Sequence, residues 1–357
     1  METIKQNLGI DVGSKDFKVS LRLMMADLSI KTKGSRTFKN TSKGFESLQG
    51  WVEKKRVQNL PLSITMEATG VYYENLAYYF HEKKSYLVHV VLPNSSNAFF
   101  KSLKLKSKTD KIDAWGLAQM GLERRLNTWL PISEQMRDLK KIVRERLRLI
   151  REKNMVTNQL HAEQASFRPS SIVRKRSEKR IAFLDKQIQA AEKDLRRLVD
   201  KDPDLKERLD NVCTAHGIGF ITAIGIVAEY NGFILFKNRN QVVSFAGYDV
   251  KQNESGSSIN GKKRISKQGN SYVRQMLYMS AMSAAVHDPH HRAYYLRIVE
   301  KTGIKMKGNV AIQRKLLLLI YTLFTKNEPY DSLHFLKVQN RLKSKSKSRN
   351  QKELITT

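Results

Sequence analysis

The chain has 357 residues, of which 65 are Lys or Arg and 34 are Asp or Glu, giving a formal net charge of +31. A polypeptide of this length builds two or three cores rather than one. So basic a chain seeks a polyanion, nucleic acid before an anionic membrane, because each neutralised phosphate releases condensed counterions. The longest apolar runs, such as residues 315–324, fall short of the roughly 20 residues of a spanning helix. No signal peptide opens the sequence, and the single cysteine, Cys213, excludes an internal disulfide and a Cys-based zinc site within one chain. A cytoplasmic, nucleoid-associated protein with no membrane partner is expected.

In chain order, residues 7–24 read as an apolar strand, a tight Gly-containing turn and a second strand, a hairpin. A polar stretch follows, then SKGFESLQGWVEKK with apolar residues at helical spacing, then the short strand of PLSITMEATG, which stops at Glu67. A helix is predicted over 71–83. The β-branched run SYLVHVVLP predicts a buried strand with helices on both sides. Residues 1–130 are therefore predicted to be one α/β domain.

From Ser133 to about Arg168 the sequence becomes charge-laced helix, Pro169 and two serines mark a break, and a second long helix runs to about Asp200. In it Leu184, Ile188, Ala191, Leu195 and Leu198 step by fours and threes, a heptad seam. Residues 131–202 thus predict a helical hairpin or coiled-coil linker, its seam paired with the first long helix or, as favoured here, with another subunit. Residues 203–335 predict a mostly helical domain with Gly turns at AHGIG and FAGY and a basic Ser/Gly segment over 253–269. The basic tail, 336–357, lacks the apolar residues that offset ordering entropy and is expected to be disordered.

Asp11 ends the first apolar strand and Glu67 ends another, while Asp110 and Asp113 share one face at the start of a predicted helix. Singly, such acids are ordinary helix-start charges stabilised by the macrodipole. Together they suit a hard cation, which takes oxygen ligands, and two such cations about 4 Å apart can clamp the attacking and leaving oxygens of a phosphodiester. Brought together without a cation they repel, by ~1 to ~4 kcal/mol per pair at about 4 Å.

The runs GIDVGSK, MEATGVYYE and KSKTDKIDA resemble the DEDD-type insertion-sequence transposases, whose first domain resembles the Holliday-junction resolvase RuvC. The resemblance extends from Asn7 to about Phe335. It implies a ribonuclease-H-like domain in which Asp11, Glu67, Asp110 and Asp113 are catalytic and bind Mg²⁺ or Mn²⁺.

Further on, NESGSSINGKKRISKQGNSYVRQMLY sets small residues among Lys262, Lys263, Arg264, Lys267 and Arg274, a strip suited to a phosphate backbone. On composition alone this is a solvated hairpin loop and its serines are loop filler. A serine attacking phosphorus needs a base or metal to activate it and cations to hold the phosphate oxygens; the neighbours supply the cations. The resemblance makes Ser255, in ESGSS, the nucleophile, and assigns Ser266, in ISKQGN, to phosphate positioning. Two departures stand out: His216 where the family carries a proline before Gly217, and Tyr248 and Asp249 where a Gly-Leu-x-Pro pattern is usual. A lone turn histidine is ordinarily solvated or hydrogen-bonding, and His216 is left out of the site.

The expected function is DNA transposition by cutting and rejoining through a covalent phosphoserine, on donor and target DNA, directed by a structured guide RNA, in a dimer or tetramer. Guide pairing can carry sequence while the protein holds shape and backbone. The alternatives are a resolvase-like nuclease that hydrolyses branched DNA without an adduct, and a packaging protein whose acids are structural.

Overall fold

The computed structural model describes residues 2–83, 85–103, 109–251, 254–255, 259–260, 264–331 and 333; of 254–255 and 259–260 it describes the backbone alone. Lys262, Lys263 and the tail over 336–357 therefore lie outside the described residues, as does the side chain of Ser255. The chain divides into two compact units, Met1–Pro131 and Ile132–Thr357.

The first unit is a mixed α/β layer. Strands β1 (Thr3–Val12), β2 (Asp16–Met25) and β3 (Ile30–Lys39) form an antiparallel meander. After helix α1 (Ser42–Lys55), β4 (Leu62–Glu67) lies parallel to β1; helix α2 (Glu74–Glu82) leads to β5 (Tyr86–Val91), parallel to β4. The five strands stand in the order β3-β2-β1-β4-β5. Leu8, Ile10, Val19, Leu21, Ile64 and Met66 are fully or almost fully buried, and they centre the core. Helices α3 (Pro93–Ser102) and α4 (Asp110–Glu123) complete the unit.

One expectation needs correction. The polar stretch after the hairpin is a strand, β3: it is a sheet edge whose buried apolar residue is Phe38, and its Lys and Arg side chains blunt that edge against pairing with another chain. The run SYLVHVVLP is the expected strand between two helices, with Tyr86, Val88, His89 and Val91 buried; it lies at the opposite sheet edge, with Leu87 exposed. The chain after α4 covers part of it, Trp129 N–H donating to Val88 O at 2.8 Å.

The second unit is helical. Helices α5 (Glu134–Gln164) and α6 (Ser171–Val199) form a hairpin, capped by Ser133 and Ser170 at the positions where the sequence breaks. All five seam residues of α6 are buried or half-buried within the chain, and Arg146–Glu192 and Lys153–Asp185 ion pairs join the two helices. The seam therefore folds back on α5. The base of the hairpin, through Leu139, Val143, Leu195 and Val199, enters the core made by the later helices: α7 (Pro203–Cys213), α8 (Phe220–Glu229), α9 (Arg239–Ala246), α10 (Ser271–His287), α11 (Pro289–Thr302) and α12 (Lys305–Lys326). Between α9 and α10 run the short strands β6 (Val250–Lys251), β7 (Glu254–Ser255), β8 (Ile259–Asn260) and β9 (Arg264–Ile265). β6 pairs with β9, and β7 with β8, both antiparallel, so the segment is a ribbon with Ser255 towards its tip. The Gly217 turn (φ +84°) packs on α10, where a Cβ would meet Ser280 O and Ala284, so helix packing explains the AHGIG glycine.

Among the described residues no helix is long and apolar enough to cross a membrane.

Candidate active site

The four acids converge at one end of the sheet of the first unit. β1 and β4 are parallel and in register through Ile10 and Met66, so Asp11 and Glu67 are the next residues on adjacent strands. Adjacent strands lie about 4.8 Å apart. Side chains alternate faces along a strand, so Asn7, Gly9 and Asp11 share one face of β1, as Thr65 and Glu67 do on β4.

That face carries α4. A Cβ on Gly9 would run into the backbone of Ala114 and Ala118, and one on Gly121 would run into Asn7 and Thr65, so the helix lies directly on the strands. Asn7 Nδ2 donates to Thr65 Oγ1 at 3.0 Å beneath it. Two residues of strand span about 6.6 Å, the rise of four to five helical residues. Gly121 sits over Asn7 and the Ala114–Ala118 turn over Gly9, so the next step brings the first turn of α4, with Asp110 and Asp113, over Asp11. Thr109 caps that turn, its Oγ1 accepting from Ile112 N at 3.3 Å.

The electrostatics agree with this placement. The Asp11 carboxyl is pushed up from its ordinary 3.8 to about 6, first by burial and then by the negative charges of Asp113, Asp110 and Glu67. Those are the three other acids singled out in the sequence. Lys18 opposes them from β2, directly across from Asp11 in register. Its ammonium meets Asp110 Oδ2 at 2.6 Å, which holds the Asp110 carboxyl below, and the Lys18 ammonium above, their usual ranges. Glu67 is fixed by two hydroxyls: Ser96 Oγ donates to Oε2 at 2.5 Å and Thr69 Oγ1 to Oε1 at 3.1 Å.

Four carboxylates with one ammonium are the donor chemistry of a hard divalent cation. As the side chains stand, no group of three His, Cys, Asp or Glu among the described residues could hold a metal ion. Lys18 engages Asp110 through Oδ2 alone, which leaves its other carboxylate oxygen as an acceptor.

In the second unit the ribbon's base is fixed where its tip is not described. Ser266 N–H donates to Asp249 O at 2.7 Å, and Ser266 Oγ donates to Asp249 Oδ1 at 2.8 Å while accepting from Gln268 N–H at 3.2 Å. Arg274 Nη1 donates to Ala246 O at 2.8 Å and Gly269 O at 3.3 Å, tying the same turn to α9. Arg264 and Lys267 are exposed beside it. Asn270 caps α10 and donates to Glu229 Oε2 at 2.7 Å. Glu229 is buried and clamped by Arg144, Nε to Oε1 at 2.6 Å and Nη2 to Oε2 at 2.9 Å, with Lys140 Nζ at 3.5 Å. Burial works to raise its pKa, but these cations and hydrogen bonds outweigh it and hold the carboxyl below its usual range. His216 stands edge-on to Tyr330, 6.3 Å between ring centres.

Sequence reasoning missed Lys18, Ser96, Asp249 and Glu229. Lys18 was legible in principle, because a hairpin turn fixes which residue faces Asp11. For Ser96 and Glu229 the partners are brought close by tertiary packing.

Comparison with known protein families decides the identity of the chain. A transposase model of the DEDD, IS110 type matches residues 8–164, and a second, described as transposase of the IS116/IS110/IS902 family, matches 209–296. The chain belongs to the IS110 family of transposases. It is accordingly a DNA recombinase. Two curated relatives, the pilin gene-inverting proteins of Moraxella bovis and Moraxella lacunata, are each 26% identical to this IS110-family transposase over 330 residues, 92% of this chain and 98% of theirs. Among solved structures, T. thermophilus RuvC in complex with a Holliday junction substrate aligns with a TM-score of 0.25 and 10% identity, over 32% of this chain and 90% of that one. The Aquifex aeolicus PPX-GPPA enzyme aligns with a TM-score of 0.21 and 8% identity, over 52% and 91%. Likenesses at these scores carry no argument.

Proposed function

We propose that this transposase cuts and rejoins donor and target DNA through a covalent phosphoserine on Ser255, assisted by Mg²⁺ or Mn²⁺ held by Asp11, Glu67, Asp110 and Asp113. One observation carries the proposal: the Asp11 carboxyl is raised, first by burial and then by the charges of the three acids that the resemblance pairs with it, 56 to 102 residues away along the chain. In this reading the first unit is a ribonuclease-H-like domain, supported by the β3-β2-β1-β4-β5 order with the acids at the strand ends. Residues 131–202 form the linker, 203–335 the serine-bearing domain and 336–357 a basic tail.

The bound cation would supply electrostatic stabilisation of charge on the phosphate oxygens. Ser96 and Thr69 hold Glu67 in place, and Lys18 balances the acids until the substrate complex forms. At the other site, the Ser255 Oγ–phosphorus bond forms as the bond to the leaving deoxyribose oxygen breaks; the serine proton passes to a carboxylate and the leaving oxygen takes up a proton. One phosphodiester is exchanged for another, so religation needs no external energy. Lys262, Lys263, Arg264, Ser266, Lys267 and Arg274 hold the phosphate backbone, a structured guide RNA selects the sequence, and the assembly is a dimer or tetramer. Ser266 differs from Ser255 in position: its hydroxyl is engaged by Asp249 at the ribbon's base, which suits positioning rather than attack.

The test is strand exchange between supercoiled donor and target plasmids in the presence of element RNA, with samples denatured to reveal a protein–DNA adduct. Wild type is expected to give the adduct, Ser255→Ala and Glu67→Ala none, and Ser266→Ala a reduced amount. Nicking by Ser255→Ala at the wild-type rate would instead establish hydrolysis by water.

A further inference from the structure

Beside the ribbon's base, α11 and α12 enclose an open groove of about 750 Å³. Its cations are Arg264, Lys267, Lys307, Arg314 and Lys315, and among the described residues no acidic side chain lines it. Among the described residues none of the five is ion-paired. Between them the walls are apolar: Val310 and Leu318 from α12 and the exposed Ile304 and Met306 at its start. Tyr294 closes one side with Lys315 Nζ held 3.8 Å from its ring centre. A second cavity of about 740 Å³ shares Tyr248, Ile265, Lys267, Met306 and Val310 with the first, so the trough continues past Ile265–Lys267 towards Arg274 and Tyr278.

Each half of this lining asks for a different part of one ligand. Uncompensated Lys and Arg heads attract phosphates, whereas exposed Ile and Met beside a tyrosine reward flat apolar surface. A double helix offers its phosphates outwards and keeps its base faces stacked, and it is far too wide for a groove of this size. An unpaired strand offers both, with on the order of two nucleotides filling the volume.

We propose that this groove, formed by Arg264, Lys267, Lys307, Arg314 and Lys315 around the Tyr294, Ile304 and Met306 wall, binds an unpaired stretch of polynucleotide. The inference deepens the transposase reading above and rests on it: a strand-exchanging enzyme must hold unpaired nucleotides, and this groove supplies the chemistry. The two features used here, cations for phosphates and an apolar wall for base faces, are common to a DNA strand and an RNA strand.

The test is fluorescence anisotropy of the full chain with labelled oligo-dT, oligo-U and a duplex of mixed sequence, each across a salt series. Lys307→Glu/Arg314→Glu is expected to weaken oligo-dT binding at least tenfold at 0.1 M salt. It should also lower the salt slope by about 1.4, the value for two lost phosphate contacts to a single strand, and change duplex binding less than threefold. Ile304→Ser/Met306→Ser, both at exposed positions, is expected to weaken oligo-dT binding with the slope unchanged. Lys175→Glu/Lys179→Glu on exposed turns of α6 should change neither. Comparing oligo-dT with oligo-U shows which strand the groove prefers. Equal losses on duplex and single strand, no effect of the apolar variant, or displacement of the oligonucleotide by an acidic peptide at equal charge concentration would overturn the groove assignment alone. Wild-type protein that bound no nucleic acid at all would overturn the transposase reading with it.

Discussion

Replacing Gly9 by alanine tests whether the seat of α4 on β1 sets the acid cluster. A Cβ at this position would lie 2.8 Å from Ala118 Cα and closer still to Ala114 O and Ala118 N, against the 3.4 Å at which ordinary contact begins. All three obstacles are backbone, so no rotamer change relieves them, and α4 must withdraw by about 1 Å. Overpacking of this kind costs about 1–3 kcal/mol, of which the reduced freedom of the unfolded chain on Gly→Ala returns ~0.4–1 kcal/mol. A net loss of about 1–2 kcal/mol is expected, a fall in Tm of roughly 3–8 °C for a unit of this size. The larger consequence is for chemistry. Asp110 and Asp113 ride on the first turn of α4, and a misplacement of about 1 Å at a catalytic group costs on the order of 100-fold in rate. Differential scanning fluorimetry and plasmid strand exchange, the latter normalised to folded protein, separate the two effects. Wild-type Tm together with wild-type exchange would refute the packing of α4 described here; a lowered Tm with undiminished exchange would refute the dependence of the acids on that packing.

Three further outcomes are expected. Because the Asp11 carboxyl binds its proton more readily in the folded protein, at about 6 against an ordinary 3.8, metal-free stability is highest at low pH within that window and falls as pH rises through it; Asp11→Asn should raise the Tm in EDTA at pH 8 by the equivalent of ~1–2 kcal/mol, allowing for solvent screening of a half-buried group, by roughly half as much at pH 5, and should change little below the ordinary carboxyl pKa. Lys18→Met removes the ammonium from Asp110 and should lower the Tm in EDTA while enlarging the rise produced by added Mg²⁺, both read by scanning fluorimetry. Glu229→Gln leaves the partly exposed Arg144 and Lys140 facing a neutral group and should cost about 1.5–3 kcal/mol, measured by urea denaturation above pH 5, where the wild-type carboxylate is ionised.

What the sequence disclosed follows the range of the interactions involved. The hairpin of β1 and β2, the strand ending at Glu67, and the long helices with their serine caps are local patterns, and each was legible as periodicity or a turn. β3 was not, because ten residues with one buried apolar side chain carry no strand period; it is a strand because β2 offers it a hydrogen-bonding edge. That β5 closes the sheet as an edge was not legible, because a run of valines reads alike at an edge and a centre. The acids were found by residue type and resemblance, yet the parts that position them were not: the reach from Lys18 to Asp110 spans 92 residues and that from Ser96 to Glu67 spans 29. Nor does local pattern reveal that Asp249, at a departure from the expected motif, engages the Ser266 hydroxyl.

The Lys18–Asp110 pair bears on how such a cluster survives without its cation. Carboxylates gathered at a strand end repel one another, and that repulsion adds to burial, the larger cause, in raising the Asp11 carboxyl. A lysine placed across the strand lowers the cost by lending a positive charge, and it does so at the helix residue furthest into solvent among the four acids. The ion pair is exposed, so solvent and salt weaken it, and a divalent ion with two charges and several oxygen ligands outcompetes a single ammonium for the same carboxylate. The cluster can therefore be at once too open to grip an ion as it stands and well suited to close on one. Because Lys18 meets Asp110 through Oδ2 alone, a cation arriving at the cluster competes with the ammonium for one carboxylate while the second oxygen is open to it.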